Sequence, residues 1–128
     1  MSKSVLEHVN LTVSDPKATA NMLCDLFDWQ IRWSGDAKLG GVTYHVGEED
    51  TYLAIYTLHG HDTDAAPEFA RVRGGLNHIG VLVEDLSQAE QRVIAAGFKP
   101  HSHGDYEPGR RFYFDDADGI EYEIVSYA

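Results

Sequence analysis

The sequence predicts an α+β fold built from two tandem copies of a βαβββ module. Two observations carry that reading. The first is an internal repeat: Leu76 to Asp85 (Leu-Asn-His-Ile-Gly-Val-Leu-Val-Glu-Asp) restates Leu6 to Asp15 (Leu-Glu-His-Val-Asn-Leu-Thr-Val-Ser-Asp) at an offset of 70 residues. The second is the pattern after each copy, a stretch of helical period and then three short runs rich in β-branched and aromatic residues.

In Leu6–Val13 the alternation of a strand sets Val9, Leu11 and Val13 on one face and His8, Asn10 and Thr12 on the other. Asp15-Pro16 then supplies an N-cap and a proline at the first helical position. Ala20, Leu23, Leu26 and Phe27 recur at helical spacing, so a helix is expected from Pro16 to Asp28, packed against Val9, Leu11 and Val13. Strands are expected at Gln30–Ser34, with Ile31 and Trp33 on one face, at Val42–Val46 after a Gly40-Gly41 turn, and at Thr51–Leu58. His59–Gly75 has no period and reads as a linker, with a short helical turn near Pro67–Val72.

The second module opens on the repeated strand, with Ile79, Val81 and Val83 on its apolar face and His78 opposite. Asp85 caps the next helix, Gln88 holds the capping-box position, and Leu86, Ala89, Val93 and Ala96 share a face that ends at Gly97. Lys99–His103, which sets His101 and His103 on one strand face, Arg110–Phe114 and Glu121–Tyr127 complete the module, with a loop at Gly104–Gly109 and a turn at Asp115–Gly119. The expected organisation is one domain over 1–128: module one about 4–58, linker 59–75, module two about 76–128.

Composition narrows the function. Ten Lys and Arg against 21 Asp and Glu give a net charge of −11, which opposes nucleic acid or an anionic membrane as partner. Cys24 is the sole cysteine, so no intrachain disulfide forms and a reducing, cytoplasmic setting is expected. No apolar signal region opens the sequence and no run approaches the length of a membrane span.

The tandem βαβββ modules, with Glu7-His8-Val9, Asn77-His78-Ile79-Gly80 and the segment Phe112 to Glu123, resemble the vicinal oxygen chelate superfamily. That superfamily comprises glyoxalase I, fosfomycin-resistance enzymes, extradiol dioxygenases and bleomycin-resistance proteins. The resemblance covers nearly the whole chain. It implies a curved, barrel-like mixed sheet around a metal site, with ligands on the first strand of each module and the last strand of the second. Those positions are His8, His78 and Glu123, where Glu123 lies four residues past the turn glycine Gly119 and Ala117 stands where the family usually has Pro. Two imidazoles and a carboxylate suit a divalent first-row ion, Fe, Mn, Zn or Ni, and leave positions open for substrate.

The repeat maps Ala54 onto Glu123. Glyoxalase I-like enzymes carry a fourth ligand there, so a glutathione-dependent glyoxalase I is disfavoured, and Ala54 is expected to border the substrate. The order His103, Phe112-Tyr113, Asp116, Gly119, Glu123 is similar to the extradiol dioxygenase pattern. By that resemblance Tyr113 and His103 are the candidate catalytic residues and Arg111 a candidate substrate contact, and ring cleavage of a small oxygen-rich molecule is the specific reaction expected. The alternative is a metal-free protein that sequesters a small molecule, as in the bleomycin-resistance branch. His59, His61 and His101 are weaker metal candidates. Small members of the superfamily often complete each site with strands from two chains, so a homodimer is expected.

Overall fold

The structure, a computed structural model, describes residues 4–58, 73–106 and 109–128. The chain forms two compact units, divided within the 59–72 segment, and each holds one module. In the first, β1 (His8–Thr12), α1 (Pro16–Phe27), β2 (Gln30–Asp36), β3 (Val42–Gly47) and β4 (Tyr52–Thr57) come in order, with a 3-10 turn at Lys38–Gly40. In the second the same order recurs as β5 (Ile79–Leu82), α2 (Leu86–Ala95), β6 (His101–Tyr106), β7 (Gly109–Asp115) and β8 (Glu121–Ser126).

Each module makes a four-stranded mixed sheet, ordered β1-β4-β3-β2 and β5-β8-β7-β6. The first strand runs parallel to the fourth, which a helical crossover permits, and the other neighbours are antiparallel. The register repeats as well: Asn10 pairs with Ala54 and His45 with Ala54, just as Gly80 pairs with Glu123 and Tyr113 with Glu123. Ala54 is therefore the structural counterpart of Glu123, and His45 that of Tyr113.

Local chemistry sets the helix ends. The Asp15 carboxylate accepts from the Ala18 amide at 3.1 Å, and Asp85 accepts from Gln88 at 3.0 Å. Each cap satisfies one of the amides a helix leaves unpaired at its start, an effect typically of about 1 kcal/mol. At the end of α2 the Phe98 amide bonds back to the Val93 carbonyl (3.1 Å) and Gly97 to Ile94 (3.0 Å), with Gly97 at φ 95. That is a Schellman ending, which needs a residue free to take positive φ. One face of each helix is buried: Ala20, Leu23 and Leu26 from α1, Leu86, Ala89 and Val93 from α2. The partners from the second sheet are Phe112, Phe114, Tyr122 and Ile124, all fully buried. Burying side chains of this kind contributes about 1.5–3 kcal/mol each.

Three expectations need correction. Leu11 and Val13 are buried but Val9 is 36% exposed, against the expectation that all three pack on the first helix. The reason is position: β1 is an edge strand, whereas α1 lies chiefly across β3 and β4. Ile31 and Trp33 do not share a face. A bulge separates them, so they pair with the consecutive residues Val46 and His45. The second strand of the second module starts at His101 rather than Lys99 and continues to Tyr106, through the first part of the expected loop. The linker segment 59–72, with its helical turn, His59 and His61, and loop residues 107–108 lie outside the described residues. Among the described residues no helix is long and apolar enough to cross a membrane.

Candidate functional site

One face of each sheet packs on its helix, so the other face is where side chains are open to chemistry. In the second module that face carries Glu121 and Glu123 from β8 and Arg111, Tyr113 and Asp115 from β7. His78 stands at the entrance to β5 with its Nε2 3.0 Å from Glu123 Oε1. Its Nδ1 lies 2.8 Å from Asn77 Oδ1, and this tether directs Nε2 at Glu123. An imidazole held through one nitrogen by an oxygen and open at the other is the arrangement metal-ligating histidines adopt.

The first module repeats this detail. His8 Nδ1 lies 2.9 Å from Glu7 Oε1, the residue equivalent to Asn77, and Tyr52 donates to the same oxygen at 3.3 Å. The hydrogen bond to His8 holds the Glu7 carboxyl below its ordinary pKa. His8 stacks on Tyr52 at 5.0 Å, and Tyr52 stacks on His45 at 4.5 Å. These rings, with Asn10, Thr43 and Ala54, border a cleft of about 540 Å³. Ala54 lies on this first-module cleft beside His8. Burial lowers the pKa of His45, which favours the neutral ring. Thr43 is buried there with its hydroxyl unpartnered among the described residues.

Arg111, the candidate substrate contact, is engaged with Glu123. Its Nη1 donates to Glu123 Oε2 at 2.7 Å, and Nη2 donates to the carbonyls of Gly109 (3.0 Å) and Tyr106 (3.3 Å). The guanidinium also lies over the Tyr106 ring at 4.4 Å. Burial opposes its charge, but the bond to Glu123 and the nearby Tyr106, Glu123 and Tyr113 together outweigh that, and its pKa is raised. Arg111 therefore braces Glu123, leaving Oε1 toward His78. Tyr113 is edge-on to His78 at 5.6 Å. Burial, then the Glu123 charge, pushes its phenol above the ordinary value, so it remains a hydrogen-bond donor.

His103 is not beside Tyr113. A bulge between His101 and Gly104, with Ser102 at φ 56, inserts one residue into β6 and reverses the faces beyond it. His103 consequently lies on the helix side, its Nε2 2.8 Å from Glu90 of α2 and its ring stacked on buried Phe112. His101 takes the open face instead, stacked on Tyr113 at 6.2 Å. The alternation of a plain strand would have put both histidines on one face. The aromatic pair His45 and Tyr52 was also missed: the repeat offset that maps Ala54 onto Glu123 aligns Tyr52 with Glu121, but only the strand register aligns His45 with Tyr113.

The profile of the Glyoxalase/Bleomycin resistance protein/Dioxygenase superfamily matches residues 5–124, and the chain belongs to that superfamily. Among solved structures it is similar to a glyoxylase/bleomycin resistance protein/dioxygenase domain from Frankia sp. EAN1pec. The identity is 26% over 98% of each chain, with a TM-score of 0.81. It has the fold of the Listeria monocytogenes fosfomycin resistance protein FosX, a variant of which was solved with Mn(II) and 1S,2S-dihydroxypropylphosphonic acid. There the identity is 21% over 97% of this chain and 93% of the other, with a TM-score of 0.74. Zea mays glyoxalase I shares the fold at 16% identity over 92% of this chain, which spans 43% of the maize chain, again with a TM-score of 0.74. No curated protein matches by sequence.

Proposed function

We propose that the protein is a divalent-metal-dependent enzyme acting on a small oxygen-rich molecule, with His8, His78 and Glu123 as the metal ligands. The observation that carries this is the convergence of His78 Nε2 and Glu123 Oε1 at 3.0 Å, each held from behind, His78 by Asn77 and Glu123 by Arg111. Nitrogen and carboxylate donors pre-oriented in this way fit a first-row divalent ion, with Fe, Mn, Zn and Ni all compatible. His8 shares the tethered Nδ1 and the repeat position, which supports it as the third ligand. A bound ion would supply Lewis acidity toward a substrate oxygen. The chain's own contribution is to aim the Glu123 carboxylate through Arg111, and to offer the protonated Tyr113 phenol as a hydrogen-bond donor to substrate. Ring cleavage of the extradiol dioxygenase kind is the specific reaction proposed, in a homodimeric, cytoplasmic protein. His103, bound to Glu90, is left out of the catalytic set.

The test is metal stoichiometry and affinity in tag-free wild type, Glu123→Gln and His8→Ala, with oxygen uptake on a catechol as the activity readout. Each substitution should remove one metal equivalent or weaken its binding at least tenfold. Wild-type metal binding in both variants would reject the triad and favour a metal-free protein that sequesters its ligand. Metal binding without oxygen uptake would leave the triad and reject the ring cleavage. Light scattering that gives a monomer at micromolar concentration would reject the homodimer.

A further inference from the structure

We infer a second divalent-cation site on the open face of the second module, formed by His101, Asp115 and Glu121 and separate in its donors from His78 and Glu123. The three residues come from three adjacent strands, β6, β7 and β8, and one donor atom from each lies within 4.8 Å of the other two. His101 Nε2 is 3.4 Å from Asp115 Oδ1 and 4.0 Å from Glu121 Oε2. Donors bound to one ion at about 2.0–2.2 Å lie roughly 3.0–3.5 Å apart. Small side-chain rotations by the two partly exposed carboxylates would close the remaining gaps.

Three features point to a cation. Asp115 and Glu121 are direct cross-strand partners, an arrangement in which two like charges destabilise a sheet unless a positive group lies between them. The His101 ring is oriented from behind: Nδ1 lies 2.8 Å from Ser102 Oγ, which holds the ring with Nε2 toward the carboxylates. The bulge that brings His101 to this face holds Ser102 at φ 56, a conformation unfavourable for a residue other than glycine. One imidazole and two carboxylates suit Mn(II), Zn(II), Co(II) or Ni(II), with the remaining positions open to water. An ion here pins the bulged strand to the end of the β7–β8 hairpin, the same hairpin that carries Tyr113 and Glu123. A protonated His101 is the competing occupant of the same space.

The experiment uses the full chain with Glu123→Gln, which disables the first site, and titrates Zn(II) by calorimetry at neutral pH. One equivalent should still bind with a dissociation constant well below millimolar. Adding His101→Gln, or separately Asp115→Asn, should weaken it at least tenfold, while circular dichroism shows each variant folded. The ring-proton NMR signals of His101 should shift on titration of Zn(II). No zinc bound below millimolar by the Glu123→Gln protein, or binding unchanged by both further substitutions, overturns the inference and leaves the imidazolium as the bridging group. Conversely, a wild-type chain that loses an equivalent with Asp115→Asn but none with Glu123→Gln retains this site while rejecting the proposed triad.

Discussion

Asp116 ties the turn before β8 to the strand that carries Glu123, and Asp116→Ala is expected to loosen both. Its Oδ1 accepts from the amides of Asp118 (2.9 Å) and Ile120 (3.0 Å), and its Oδ2 accepts from the Tyr122 hydroxyl (3.2 Å). Tyr122 is fully buried and Ile120 nearly so. Alanine would strand the Ile120 amide and the Tyr122 hydroxyl without acceptors, at about 1–3 kcal/mol each. Removing a carboxylate that burial already disfavours offsets part of that. The net loss expected is about 3 kcal/mol, measured by urea unfolding, or a fall of about 12 °C in Tm for a chain of this size. Asp116→Asn keeps a carbonyl oxygen for the two amides and should lose about 1 kcal/mol. The alanine variant should also bind metal at Glu123 more weakly, because Glu123 directly follows Tyr122 on β8. A loss below about 1 kcal/mol for Asp116→Ala would refute the reasoning, since stranded buried donors cannot be that inexpensive.

Four further outcomes are expected. Burial raises the Asp116 carboxyl above its usual pKa despite its three donors. A raised folded-state pKa gives stability that is full below the unfolded value, about 3.9, and is lost as pH rises through the folded value; the stability of wild type relative to Asp116→Asn should therefore fall as pH rises above the unfolded value in urea titrations. Phe114→Ala removes a ring stacked on Tyr122 (5.0 Å) and tilted against Phe98 (5.5 Å) and should destabilise by about 3–5 kcal/mol in the same assay. Gly97→Ala places a side chain at φ 95 in the Schellman turn and should lower stability by about 1 kcal/mol, with no change expected in metal content. Thr43→Val replaces an unpartnered buried hydroxyl by a methyl of the same shape; thermal melting should show a gain of about 1 kcal/mol, and a loss would indicate a hidden partner for that oxygen.

The repeat, both helices with their aspartate caps, the Gly97 ending and the identity of most strands were legible in the sequence because each rests on local chemistry. Capping, helical period and strand alternation involve residues a few positions apart. The equivalence of Ala54 and Glu123 was legible too, since duplication carries register with it. Tertiary structure alone decided which face several side chains occupy. One added residue in β6 puts His101 beside Tyr113 and sends His103 to Glu90, and one in β2 separates Ile31 from Trp33. A bulge has no period to announce it, yet it inverts every residue beyond it. Arg111 reads as a candidate substrate contact in sequence, and only the fold shows it set against Glu123, because a part-buried carboxylate needs a partner and this guanidinium reaches its second oxygen. Val9 shows the same limit in the core: its alternation is that of a buried residue, and only the placement of β1 at the sheet edge leaves it partly in water.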